Sequence, residues 1–310
     1  MNKLPAILMV LMAWVSARAA DEISLAGKWR FALDRQDKGI VEQWQERKLP
    51  DSVHLPGSLP AQGIGDPITL DTKWTGGIVD RSYFTAPQFA EYRKPGNIKV
   101  PFWLQPDTYY SGVAWYQREI EIPADWQKQR TILSLERPHW ETRVWVDNVA
   151  EGTNASLSTP HEYDLGRLTP GKHLLTIRVD NRAIVDIGEN SHCVSDHTQG
   201  NWNGIVGQIQ LLTRPIAAID DVQVYPDVAA KKVRVRIVVT NATLAALQGK
   251  LTVSVKAGAN APALSVMPVT TNFSTGDKSY SMELEMPLGT EAKTWDEFSP
   301  ALYKLAVGAN

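Results

Sequence analysis

At 310 residues, 43% of them hydrophobic and 21% charged, the chain has the make-up of a globular protein and the length for two domains of common size. A formal net charge of −2 leaves no basic excess, so the electrostatic footprint of a nucleic-acid-binding protein is missing. Cys193 is the single cysteine, which excludes an intramolecular disulfide and requires a core that holds without covalent staples.

The first twenty residues read as a secretory signal peptide. Lys3 supplies the positive start, Leu4 to Val15 is nearly all apolar, and Ala17-Arg18-Ala19 fits a small-x-small cleavage site. Export to the periplasm or the exterior is therefore expected. The apolar run is too short for a comfortable transmembrane helix, and no cysteine stands near the cleavage point to carry a lipid, so no membrane anchor is expected.

Leu25 to Leu33 predicts a strand with Trp29 and Phe31 on one face. Asp34 to Leu49 is polar, is interrupted by Gly39, and predicts a short helix around Trp44. From His54 to about Ser111 the chain is studded with Pro and Gly, shows few strand patterns, and carries Trp74, Tyr83, Phe84, Tyr92, Phe102, Trp103, Tyr109 and Tyr110. A loop of that length and aromatic content is expected to be functional or packed on a neighbour. Val113 to Ile122 alternates as a strand.

The stretch from Arg130 to Gly152 organises this half of the chain. Ile132, Leu133 and Leu135 predict a buried strand, and Thr142, Val144 and Val146 then alternate with Arg143, Trp145 and Asp147. Asp147-Asn148 tolerates the positive φ of a tight hairpin turn, which returns the chain through Val149 and Ala150. Trp140 and Trp145 are expected to pack as core residues. His161 beside Glu162 is expected to be a solvated pair. His173 to Val179 and Ile205 to Leu212 predict two further strands, with the polar loop Asp180 to Asn203 between them.

Composition shifts at Arg214-Pro215, beyond which Trp295 is the only tryptophan. Short strands follow at Ile219 to Tyr225, Lys232 to Thr240, Gly249 to Lys256, Ser279 to Met286 and Leu302 to Val307. Such spacing predicts a small immunoglobulin-like sandwich without the disulfide of antibody domains. Lys231, Lys232, Arg234 and Arg236 are expected on the exposed face of a strand.

Asp186, Glu189, His192, Asp196, His197, Gln199, Asn201 and Asn203 are concentrated around Trp202 in the loop that precedes Ile205. Carboxylates and amides pair with sugar hydroxyls, and an indole face packs on the apolar face of a pyranose. Asp196, His197, Asn201 and Trp202 are the candidate substrate-binding residues. The competing reading has Asn201 and Asn203 bonding loop backbone and Trp202 plugging the sandwich end. His192, Cys193, Asp196 and His197 match no standard zinc spacing, so no metal and no cofactor is expected. Cys193 has no positioned partners that would make it a nucleophile.

Leu25-Ala-Gly-Lys-Trp-Arg-Phe31, Ala114-Trp-Tyr-Gln-Arg118, Arg143-Val-Trp-Val-Asp147, Tyr163-Asp-Leu165 and Asn201-Trp-Asn-Gly-Ile205 occur in the order and spacing seen in glycoside hydrolase family 2. Trp295 and Ser299-Pro-Ala-Leu-Tyr-Lys-Leu305 resemble the close of that family's second domain. The chain thus resembles the N-terminal region of the β-galactosidases, β-glucuronidases and β-mannosidases. The resemblance implies an all-β chain with a jelly-roll, galactose-binding-like sandwich over 21–214 and a smaller immunoglobulin-like sandwich over 215–310. It places the chemistry in a following (β/α)₈ barrel of about 250 residues, which these 310 residues do not include.

No Asn-Glu dipeptide, the pair that carries the family's acid/base glutamate, occurs in the chain. The two carboxyl groups that retaining hydrolysis holds about 5 Å apart cannot be assigned, so no catalytic residue is named. The implied role is the non-catalytic front of an exported exo-glycosidase, β-galactosidase-like, that removes terminal β-linked sugars from oligosaccharides. Its implied partners are a carbohydrate and the barrel. The alternative is a free-standing carbohydrate-binding protein with Trp140, Trp145 and Trp202 on an exposed platform.

Overall fold

The computed structural model describes residues 21–310 apart from positions 187, 189, 190, 193 and 244, so the expected signal peptide, Glu189 and Cys193 lie outside the described residues. In chain order the first strands are Glu22–Ser24 (β1), Gly27–Asp34 (β2), Asp51–Leu55 (β3), Gly57–Ser58 (β4), Asp66–Pro67 (β5), Thr108–Tyr109 (β6) and Val113–Ile122 (β7). Gln129–His139 (β8), Glu141–Val146 (β9), Val149–Asn154 (β10), His161–Asp164 (β11), Gly171–Asp180 (β12) and Gly204–Pro215 (β13) follow. The second run is Ala217–Asp227 (β14), Lys232–Asn241 (β15), Leu247–Ala257 (β16), Val269–Thr275 (β17), Ser279–Pro287 (β18) and Tyr303–Ala309 (β19).

The fold is all-β: a jelly-roll sandwich followed by a smaller immunoglobulin-like one. In the first, a sheet in the order β1-β13-β8-β11, with β4 also on β13, faces a six-stranded sheet in the order β10-β9-β12-β7-β2-β3. Their inner faces interleave Trp29, Phe31, Tyr116, Leu133, Leu135, Val144, Ile177 and Leu211 into one core. Alternation along each strand supplies these residues, because successive side chains leave a strand on opposite faces. In the second, β14-β15-β18 packs on β17-β16-β19 around Val235, Ile237, Val253, Phe273 and Met286. Among the described residues no sheet contains strands from both sides of Ile216.

The organising hairpin forms as its sequence dictates. Asp147 and Asn148 sit at φ 47° and 72°, both left-handed, and β10 folds back on β9 with Val149 opposite Val146. Val144 and Val146 face the core, while Trp145 faces outward and is nevertheless 4% exposed. Its indole stacks on Trp115 with centroids 5.1 Å apart, and Trp44 lies 6.1 Å from Trp115. The polar segment between β2 and β3 covers this outer face. Gln117 is buried there, donating from Nε2 to the Arg47 carbonyl at 2.9 Å and to Thr176 Oγ1 at 3.2 Å. Alternation alone predicts a half-buried sheet; the covering segment buries both of its faces.

Trp140 is 2% exposed and donates from Nε1 to the Ala155 carbonyl at 2.8 Å, so Trp140 and Trp145 are core residues and the platform reading fails for both. His161 differs from expectation too. It has no solvent exposure, and its Nε2 bonds the Ser156 carbonyl at 2.8 Å while Nδ1 accepts from the Thr142 hydroxyl at 2.6 Å. Its neighbour Glu162 points to solvent and pairs with Arg214 at 2.7 Å. His161 alternates inward from β11, which the short strand pattern in the sequence does not reveal. β17 was likewise not expected, since only Phe273 and Thr275 of its seven residues are buried.

Candidate functional site

The loop between β12 and β13 closes one end of the first sandwich. Its last residues, Asn201-Trp202-Asn203, run in extended alternation, so the two amides point inward and the indole between them points out. Gly204 fixes the exit: it has φ +144°, and a Cβ there would stand 2.4 Å from the Gly57 carbonyl oxygen, so only glycine lets β4 approach β13 this closely. The Leu59 amide closes the contact on the Asn203 carbonyl at 2.8 Å.

Each inward residue is engaged. The Asp196 carboxylate accepts from the Thr75 amide at 2.6 Å, the Tyr109 hydroxyl at 2.7 Å and the Asn201 amide at 2.6 Å. Burial raises its pKa above the ordinary aspartate value, against the hydrogen bonds from Asn201, Tyr109 and Thr75. Asn201 donates from Nδ2 to Thr75 Oγ1 at 3.0 Å and to the Asn181 carbonyl at 2.9 Å, and its Oδ1 accepts from Asn181 Nδ2 at 3.2 Å. His139 Nε2 lies 3.1 Å from the same Oδ1, which can only accept, so that nitrogen carries the hydrogen. Asn203 accepts from the Tyr116 hydroxyl at 2.8 Å and donates to the Gly112 and Val179 carbonyls at 3.0 and 3.1 Å.

The buried side-chain amides of Asn201 and Asn203 and the buried carboxylate of Asp196 thus tie the loop to Thr75, Tyr109, Gly112, Tyr116, His139, Val179 and Asn181. This is what a long polar loop over an apolar core requires, because unpaired buried backbone and amide groups are costly. Of the four candidate sugar-binding residues, Asp196 and Asn201 are 3% and 4% exposed and occupied by protein partners. Trp202 and His197 are half-buried. The Trp202 indole stacks on His139 with centroids 4.9 Å apart and 28° between planes. Burial holds the His139 pKa down at about 4, against the pull of Asn201, so the ring under Trp202 is neutral at physiological pH. His192, Gln199 and Asp186 stand at the exposed rim. Among the described residues no three metal-capable side chains converge.

Sequence reasoning missed Asn181, Thr75 and Tyr109 as partners in this assembly, since they stand 20 to 126 residues from the Asn201 and Asp196 they bond. It also missed an ion network on the outer face: Arg178, 5% exposed, reaches Asp37, Glu141 and Asp180 at 3.0, 3.3 and 3.1 Å, and Arg182 joins Asp37 and Asp180. The network pins the covering segment to β12.

Two family models match the chain in succession. Residues 76–215 match the glycosyl hydrolases family 2 sugar-binding domain, and residues 217–309 match a further model described as glycosyl hydrolases family 2. The chain belongs to glycosyl hydrolase family 2. A β-galactosidase of Aeromonas hydrophila is 24% identical over 99% of this chain and 29% of its own length. A β-glucuronidase of Sus scrofa is 23% identical over 68% of this chain and 31% of its own. The chain therefore spans less than a third of these curated relatives. Among solved structures, a Bacteroides uniformis β-glucuronidase superposes with a TM-score of 0.60 at 18% identity, covering 94% of this chain and 30% of that one. A putative β-galactosidase from Bacteroides fragilis gives 0.59 at 15% identity, over 94% and 39%. These likenesses carry the fold. Among the described residues no helix is long and apolar enough to cross a membrane.

Proposed function

We propose that these residues are the non-catalytic front of an exported family 2 exo-glycosidase that hydrolyses terminal β-linked sugars, with a β-galactoside as the first substrate to try. The observation that carries the reading is the succession of the family's sugar-binding and second models along one chain, in the arrangement of two packed sandwiches. A relative that covers nearly the whole chain is a β-galactosidase, which favours that substrate class. Export rests on the signal-peptide pattern of the first twenty residues. Catalysis is assigned to a barrel beyond these sandwiches, where two glutamates would flank the glycosidic bond.

Asp196 offers no general acid or nucleophile in this reading, because its oxygens are already held by three protein donors. The reading predicts that the 310-residue chain by itself releases no nitrophenol from nitrophenyl β-galactoside or β-glucuronide. Turnover by this chain would overturn it.

A second reading, a carbohydrate-binding protein that cleaves nothing, is favoured by one observation. Trp202 keeps a partly open indole face, backed by the neutral His139 ring. Quenching of tryptophan fluorescence by millimolar galactose or glucuronate, lost in Trp202→Ala, supports sugar binding at this end; no response counts against it.

A further inference from the structure

Given that these residues front a longer hydrolase, as proposed above, we propose that the open edge of β19 and the apolar groove between β19 and β14 are the docking surface for one further β-strand, supplied from beyond the two sandwiches.

The backbone of β19 is paired on one side only. Its partner is β16, and β19 is the last strand of its sheet among the described residues. Lys250 and Asn310 exchange both backbone hydrogen bonds, at 2.9 and 3.0 Å. In an antiparallel ladder such pairs recur at every second residue, so Gly308, Ala306 and Lys304 also turn their N–H and C=O groups toward β16. Tyr303, Leu305, Val307 and Ala309 turn theirs the other way, onto an edge that no strand covers among the described residues. Such a row of free donors and acceptors is a template for strand addition.

The side chains on that edge open onto the core. Leu305 and Val307 stand opposite Val255 and Val253, and Val253 is fully buried, so Tyr303, Leu305 and Val307 face inward. Across from them β14 is uncovered. Val222 and Val224 stand opposite Ile237 and Val235 and share their inward face. Ile237 and Val235 have no exposure, whereas Val222 and Val224 are 37% and 43% exposed. The groove encloses about 450 Å³, and Val224, Val255, Leu288, Trp295, Tyr303 and Leu305 line it. Constant-type immunoglobulin sandwiches have seven strands, and this one has three and three among the described residues. The place left open lies beside β19 and across from β14.

An extended strand fits this place twice over. Its backbone takes up the free edge and every second side chain turns into the groove, so the occupant is a segment of alternating apolar residues. The chain spans less than a third of the curated relatives described above, and such proteins have ample polypeptide outside these sandwiches to supply it.

The test is hydrogen–deuterium exchange, resolved to single amides, on the 310-residue chain and on the protein at its native length recovered from its own cells. The amides of Tyr303, Leu305, Val307 and Ala309 are expected to exchange at least about 100-fold faster in the chain alone than in the native protein. Fast exchange of the four in a native protein that is longer than this chain and hydrolyses nitrophenyl β-galactoside overturns the docking strand and leaves the proposed function standing. A native polypeptide no longer than this chain overturns both. Protection that arises in the chain alone and grows with its concentration assigns the edge to a second copy, which also overturns the proposal. Val224→Lys gives a second readout. Its melting midpoint is expected to be unchanged in the chain alone, where the side chain reaches solvent, and to fall at native length, where the strand buries the charge. An equal change in both contradicts a covering strand.

Discussion

Tyr116 and Asn203 stand 87 residues apart in the chain and share a 2.8 Å hydrogen bond inside the first core, where neither is exposed to solvent. The phenol comes from the inner face of β7 and the amide from the end of the β12–β13 loop. One bond therefore joins the packed sheet to the loop that carries Trp202.

Removing the two partners should cost different amounts. Tyr116→Phe leaves Asn203 Oδ1 without its donor and is predicted to cost about 1–3 kcal/mol. Asn203→Ala orphans the Tyr116 hydroxyl and takes one donor each from the Gly112 and Val179 carbonyls, and is predicted to cost more than the first, about 3 kcal/mol or above. Urea unfolding at unchanged slope measures both. Equal costs would show that the carbonyls find water and that the loop is not held by this amide.

The tryptophans divide by burial. Trp140→Ala empties a site with 2% exposure and is predicted to cost about 3–5 kcal/mol. Trp202→Ala removes a half-buried ring stacked on His139, and should cost no more than about half of that while abolishing any sugar-induced quenching. Thermal melts of the two variants give the order, and a larger loss at Trp202 would make it the plug of the sandwich end.

Much of this arrangement was legible in the sequence. The Thr142-to-Val149 hairpin, the inward Trp29 and Phe31 and the long strands of both sandwiches other than β17 follow from alternation and from Asp-Asn turn chemistry, which act between near neighbours. Asn203 donates to the backbone carbonyls of Gly112 and Val179, whereas Asn201 bonds the Asn181 carbonyl and the side chains of Thr75, His139 and Asn181. What alternation could not show was the second layer: Trp115 and Gln117 alternate onto one face with Glu119 and Glu121, Trp145 shares its face with Arg143 and Asp147, and a polar segment arriving from β2 covers them. The bonds of Asp196 to Thr75 and Tyr109 span 121 and 87 residues, and no local pattern encodes them.

Acid should destabilise the fold through its buried histidines. His139 titrates at about 4 when folded, against 6.5 for an unperturbed histidine, because burial disfavours the cation. Between those values the unfolded chain takes up a proton that the folded one refuses, so stability present above pH 6.5 is lost as the pH falls toward 4, by up to about 3 kcal/mol. Burial lowers His161 as well, with the same sign. His173 has the opposite sign: burial opposes its cation, but the Thr169 carbonyl and Asp147 prevail and raise its pKa, so its contribution fades as the pH rises through that raised value. The melting midpoint of the wild type should drop from pH 6.5 to 4, and His139→Gln should flatten the drop. An unchanged slope in that variant would contradict the assignment.

Gly39 tests the covering segment. A Cβ there would stand 2.5 Å from Trp115 Nε1 and 2.7 Å from Asp34 Oδ2, where the Gly39 amide now donates to that oxygen at 2.7 Å. Gly39→Ala is predicted to cost about 1–3 kcal/mol through overpacking and to shift tryptophan emission. Gly276→Ala, with nothing within 4 Å of the new methyl, is the control and should be near neutral. Similar effects at both positions would mean that the segment over Trp115 and Trp145 is loosely packed.

The central claim, that these sandwiches serve a catalytic unit they do not contain, is tested most directly on the native protein. An antibody to the immunoglobulin-like sandwich recovers the polypeptide from its own cells for intact mass and for hydrolysis of nitrophenyl β-galactoside. The account predicts a mass above the 34.4 kDa of this chain, by roughly 27 kDa or more for a barrel of about 250 residues, together with hydrolysis that this chain alone lacks. A native polypeptide slightly below 34.4 kDa with no hydrolytic activity would contradict it.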